Sequence, residues 1–173
     1  STYKMLVSVA GLTEGTISAD TLHFCNGEFE KVTPSPRCWA YPNGHGDLSV
    51  VGALEVSCNV FFYELGYDMS MDGNGNYDSD RGTDTLAKYA KAFGLGEKSG
   101  LEIPESEPQI SDEYSILSAI GQGTNNYTVS QLNRYVATVA NRGTVYDLTL
   151  LKKTTDAEGK LIKDMNLSCK HNG

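Results

Sequence analysis

Residues 23–47, HFCNGEFEKVTPSPRCWAYPNGHGD, hold three prolines and three glycines. Little regular structure survives that punctuation, because proline removes a backbone donor and glycine favours turns. Residues 16–47 therefore read as a long ordered loop, with a short hairpin around Glu28 to Val32. A loop of this length inside a folded domain has to be pinned by something. It carries Cys25, Cys38 and His45, and Cys58 follows closely. Three thiols and an imidazole suit a tetrahedral zinc site with three sulfur ligands and one nitrogen. A Cys25–Cys38 disulfide would serve equally well outside the cytoplasm, and free buried thiols are the third reading. With Cys169 the count is four cysteines in 173 residues, too few for a disulfide scaffold.

The surroundings of the loop are helical. Met5, Leu6, Val9, Ala10 and Leu12 form one stripe over residues 1–15, with Ser1 suited to the N-cap and Gly15 to the stop. Asp47 or Ser49 can cap a helix through VVGALEV, and a second helix is expected from Val60 to Met69, so Ser57-Cys58-Asn59 falls at a helix junction. MDGNGNYDSDRGTD reads as a surface loop before a short helix, TLAKYAKAF, ended by Gly94. GLGEKSGLEIPESEPQ follows as a connector. Thr128 and Gln131 make a capping box for a helix closed by Gly143, with Leu132, Val136, Val139 and Ala140 as its apolar positions. Residues 144–165 alternate around DAEG as a β-hairpin, and 166–173 read as a frayed tail.

Net charge is −8, with Lys and Arg scattered, which excludes the electrostatic footprint of a nucleic-acid or anionic-membrane binder. No apolar run approaches the roughly 20 residues of a membrane span. No charged and apolar leader precedes Ser1, so any signal or anchor is expected upstream of this stretch. Asp72, Asn74, Asn76, Asp78 and Asp80 alternate as in a calcium loop, but Tyr77 and Thr83 stand where glycine and glutamate are needed, so a solvated loop is expected. His23 and His171 show no partner in the sequence and read as surface residues.

The chemistry lies in Ser1-Thr2-Tyr3-Lys4, an S-x-x-K that puts hydroxyl and amine on one helical face, and in the S-x-N of Ser57-Cys58-Asn59. Together with CWAYPNGHG, KAFGLGEKSGLEIP and AIGQGTNNYTVSQLNRYVATVANRGT, in that order, these segments resemble the transpeptidase domain of the class B penicillin-binding proteins. The resemblance implies that Ser1 is the nucleophile, Lys4 its base, Ser57 the proton relay to the leaving amine, and Asn59 the residue holding Lys4 and the acyl amide. It implies a D,D-transpeptidase that cross-links peptidoglycan stem peptides ending in D-Ala-D-Ala through a serine acyl-enzyme and is acylated by β-lactams. No cofactor is required for catalysis. The implied location is the extracytoplasmic face of the bacterial membrane, with cell-wall synthesis proteins as partners.

The implied fold is mainly α with a β-hairpin: residues 1–143 as the helical subdomain of the serine transpeptidase and β-lactamase-like α+β fold, 144–165 as the hairpin, and no central sheet. The family's K-T-G or K-S-G strand does not follow Gly123. Lys152-Lys153-Thr154-Thr155 lacks the glycine, and Lys98-Ser99-Gly100 lies ahead of GQG in the connector. Residues 1–173 alone are therefore expected to be catalytically incomplete. A β-lactam-sensing receptor domain or a class D-like β-lactamase is the alternative carried by the same two motifs.

Overall fold

The computed structural model describes residues 2–165 and 169–172. They form two units, residues 1–89 with 110–125 and residues 90–109 with 126–173.

In the first unit, α1 (Tyr3–Thr13) packs on α3 (Asn59–Met69) so closely that a Cβ at Gly11 would stand 2.8 Å from Leu65 Cδ1. Leu6, Val7 and Ala10 of α1 and Phe61, Phe62 and Leu65 of α3 are all closed to solvent. The N-cap of α1 is Thr2, not Ser1, and its side chain makes no capping bond. Ser1 itself lies outside the described residues, so the expected approach of its hydroxyl to Lys4 and Ser57 does too.

The Pro/Gly-rich stretch is more regular than its composition suggests. β1 (His23–Cys25) pairs antiparallel with β2 (Gly46–Leu48), and a single bridge joins Glu28 to Arg37 in place of a hairpin at Glu28–Val32. Three-residue strands are too short to leave a period in the sequence. Ser49, rather than Asp47, caps α2 (Val50–Glu55) by accepting from Gly52 N.

α4 runs Ser79–Ala92, six residues ahead of its expected start. Asp80 sits in its first turn, where a carboxylate favours the helix N-terminus, and Thr83, Leu86, Tyr89 and Ala90 then fall on one buried face. The unit is completed by α5 (Ser115–Ser118).

In the second unit α6 (Val129–Ala140) carries the full Thr128/Gln131 capping box. Its buried face differs from the expected one. Gln131, Arg134, Tyr135 and Thr138 are inside, while Val136 and Ala140 are exposed. Arg134 reaches the Gly94 and Glu97 carbonyls and Gln131 reaches those of Glu97 and Ser106, so hydrogen bonding rather than apolar area chooses the face. Two positive-φ residues close the helix, Arg142 at +68° and the expected Gly143 at +104°, whose N–H bonds Thr138 O at 2.8 Å.

β4 (Lys153–Thr155) and β5 (Leu161–Asp164) form a hairpin around DAEG shorter than the expected 144–165, because β3 (Thr144–Tyr146) pairs instead with β6 (Cys169–Asn172) in the stretch read as a frayed tail. Among the described residues there are three two-stranded sheets and no central sheet.

Candidate active site

α2 ends in a turn that brings the chemistry together. Ser57 N donates to Leu54 O at 3.2 Å and Cys58 N to Ala53 O at 2.9 Å, the paired bonds of a Schellman motif, with Ser57 as the left-handed residue at φ +51°. Glycine ordinarily takes that position. A side chain there costs about 1–2 kcal/mol, so the serine is kept against its backbone preference. Cys58 then caps α3, its sulfur accepting from Phe61 N at 3.5 Å.

Lys4 projects from α1 onto this turn and is only 2% exposed. Its Nζ donates to Asn59 Oδ1 at 2.7 Å, Ser57 O at 2.8 Å and Ser57 Oγ at 3.1 Å, three acceptors for the three hydrogens of an ammonium. Phe62 lies beneath, its ring centroid 5.4 Å from Nζ. Burial pulls the Lys4 pKa below its ordinary value, against the opposing fields of Cys58 and Cys38. Lys4, Ser57 and Asn59 are thus assembled as the sequence motifs imply.

Cys25, Cys38, His45 and Cys58 also converge, each offering a ligand atom within 4.8 Å of the others. His45 Nδ1 lies 3.5 Å from Cys25 Sγ and 3.6 Å from Cys38 Sγ. A tetrahedral zinc with bonds near 2.3 Å to sulfur and 2.0–2.1 Å to nitrogen needs S···N edges of roughly 3.6 Å, so the donor set and its spacing fit that ion. The Cys25–Cys38 disulfide is not formed: both are free thiols directed at the imidazole between them. Burial chiefly, with Cys25 and Cys38 adding, pushes Cys58 up to about 12, whereas at Cys38 the amides of Ala40, Asn59 and Val60 outweigh burial and lower the pKa.

The sequence profile of the penicillin binding protein transpeptidase domain matches residues 1–171. The chain belongs to this family. It is 28% identical to the peptidoglycan D,D-transpeptidase MrdA of Escherichia coli K12 over 94% of this chain and 26% of that protein, so it spans about a quarter of this curated relative. A chain from a peptidoglycan synthase complex superimposes with a TM-score of 0.79 at 27% identity, covering 99% of this chain and 29% of the other. Penicillin-binding protein PBP2 of Helicobacter pylori, solved in complex with MreC, gives 0.74 at 23% identity over 96% and 31%, a likeness of fold.

The other segments of this penicillin-binding domain take structural places. Lys98 pairs with Glu107 at 2.6 Å and the Ser99 hydroxyl bonds Glu105, so K-S-G sits in the connector on no strand. The GQG segment is flanked by a buried Ser111 hydroxyl that accepts from Ser118 Oγ at 2.7 Å and Thr124 N at 3.1 Å. Asp72 accepts from Asn74 N and from Asn76 N and Nδ2 within its own loop, and those bonds hold it down to about 2.

His23 is not a free surface residue: it packs edge-on against Phe61, 5.0 Å between centroids, with Nε2 3.9 Å from Asp68. The side chain of His171 lies outside the described residues. A cleft of about 410 Å³ lined by residues 32–36, Tyr77, Tyr114, Ile116 and Leu117 includes none of the candidate site residues. Sequence reasoning passed over Trp39. Its signal was available, as the single tryptophan of the chain placed directly after Cys38.

Proposed function

We propose that this chain carries the nucleophile, base and relay of a serine D,D-transpeptidase that cross-links peptidoglycan outside the cytoplasm and is acylated by β-lactams. The observation that carries the reading is the buried Lys4 Nζ, 3.1 Å from Ser57 Oγ and 2.7 Å from Asn59 Oδ1. Desolvation keeps an amine available as a base at the pH of growth far more readily than water does. Ser1 Oγ attacks the carbonyl carbon of the penultimate D-Ala and its proton passes to Lys4. The C–N bond to the terminal D-Ala breaks, and the departing amine takes a proton through Ser57. The acyl group then passes to the amine of a neighbouring stem peptide.

Residues 1–173 contain no K-T-G or K-S-G after Gly123. In this reading that strand supplies the second oxyanion donor, and losing one donor costs about a hundred- to a thousandfold, so residues 1–173 alone should not be acylated at a useful rate. Cell-wall proteins of the kind that accompany the H. pylori relative belong to this reading as partners, and the outer face of the membrane as its place. In the full-length protein, fluorescent penicillin should label the peptide bearing Ser1, and Ser1→Ala should abolish the label. Rapid release of that label would assign the chain to the β-lactamase alternative, and labelling elsewhere would remove Ser1 from the mechanism.

Cys25, Cys38, His45 and Cys58 are proposed to hold a structural zinc, which would supply a fixed anchor for the loop that leads into Ser57 and Asn59. The S···N distances support it. One equivalent of zinc by elemental analysis, lost on Cys58→Ser, is expected. A metal-free protein with a reducible Cys–Cys bond would overturn it.

A further inference from the structure

Trp39 is exposed over 66% of its surface, yet its one polar atom is turned inward. Nε1 donates to Val56 O at 3.1 Å and to Ser57 O at 3.2 Å. A tryptophan that served packing would bury its ring, whereas here the ring stands in solvent and the N–H is used. The two carbonyls it takes are the last of α2, at the C-cap and at the left-handed residue after it, groups that have no acceptor role left inside the helix.

We infer that Trp39 is a positioning residue for acylation: its indole N–H clamps the Val56 and Ser57 carbonyls and so holds Ser57 in the strained left-handed conformation that turns its Oγ to Lys4. Three observations converge on it. Ser57 at φ +51° occupies a glycine position, so it needs outside restraint to stay there. Ser57 O is shared by Trp39 Nε1 and Lys4 Nζ, which places the clamp one atom from the base. The clamp is itself fixed, because Cys38, its neighbour in the chain, accepts from Asn59 N at 3.3 Å and donates its own N–H to Gly27 O at 2.8 Å, and the His45 ring lies edge-on to Trp39 with centroids 4.8 Å apart. The two ends of S-x-N, Ser57 and Asn59, are thus tied to consecutive residues, Trp39 and Cys38.

This inference rests on the transpeptidase reading, and its test separates the two. In the full-length protein Trp39 is replaced by benzothienylalanine, which keeps the ring and puts sulfur in place of N–H, and by 5-fluorotryptophan, which keeps the N–H. Penicillin acylation is resolved into its rate constant and its binding constant. The sulfur isostere should lower the acylation rate constant roughly tenfold, about the value of one lost hydrogen bond, with the binding constant within about twofold; the fluoro variant should match the native protein. An unchanged rate constant, or a loss confined to binding, would overturn the inference. If the native protein shows no acylation at Ser1, the transpeptidase reading fails separately. The clamp is then judged by exchange of the indole N–H resonance that Trp39→Phe deletes: exchange at least about tenfold slower than in free indole upholds it, and exchange at the free rate overturns it.

Discussion

Two helix ends in this chain are built on the same plan and put to different uses. α2 ends in a Schellman turn at Ser57, and α4 ends in one at Gly94, where Gly94 N bonds Lys91 O and Leu95 N bonds Ala90 O. Both turning residues are left-handed, φ +51° and +80°. Both offer their carbonyl to a buried cation, Lys4 at the first and Arg134 at the second. A cation suits a helix C-terminus, so each pairing has a structural rationale by itself. The difference lies in which residues fill the plan. Glycine and arginine make a strain-free turn and a charge that cannot be given up. Serine and lysine make a strained turn with a hydroxyl, and an amine that can lose its proton.

Four substitutions press on that contrast. The largest effect is expected from Lys4→Met, which should slow acylation of the full-length protein by more than about a hundredfold. Its native pH profile carries a sign. The free amine is the working form, so acylation should rise with pH along a limb whose midpoint lies below the ordinary lysine value of 10.5. Between that lowered pKa and 10.5 the unfolded chain binds the extra proton, so this residue's contribution to stability also rises with pH. A profile falling over the same range would contradict the role of Lys4 as base.

Arg134→Met should instead cost roughly 3 kcal/mol in denaturant unfolding, because the Gly94 and Glu97 carbonyls lose their donor and Asp147, 3.7 Å from Nη1, loses one of its two cations. No change in midpoint would make the second turn independent of its cation.

Gly94→Ala should cost about 2 kcal/mol, since the backbone is left-handed and a Cβ would stand 2.9 Å from Val145 Cγ1. Smallest is Ser57→Gly, expected to raise stability by about 1 kcal/mol although it removes a bonded hydroxyl. A thermal midpoint that drops would mean the first turn is not strained after all.

The sequence made the cationic half of this contrast visible and hid the backbone half. Lys4, Ser57 and Asn59 stand in two motifs, and the family resemblance those motifs carry is what brings them to one place. That Ser57 does a glycine's work leaves no trace, because the residue that signals such a turn is missing from it. The early start of α4 was concealed by Gly82, which reads as a loop former. In the fold it is a contact point, where a Cβ would stand 2.1 Å from Ser70 Oγ. On α6 the apolar stripe was plain and pointed to the wrong face, since periodicity registers hydrophobic area and cannot register an arginine that serves two carbonyls. Trp39 was missed for a related reason: its function lies in one N–H, and composition counts it as an aromatic.

The β4–β5 hairpin has a consequence for handling the protein. Lys152, Lys153, Lys160 and Lys163 there meet Asp156, Glu158 and Asp164, a near balance of charge within a chain of net charge −8, and Leu161 and Ile162 are exposed beside them. Its outer strand edges have no strand partner among the described residues. A near-neutral ribbon with exposed apolar side chains and open edges offers another strand a place to pair and sets little repulsion against it. Residues 1–173 in isolation should therefore self-associate through this hairpin as concentration rises, and Ile162→Lys should disperse them.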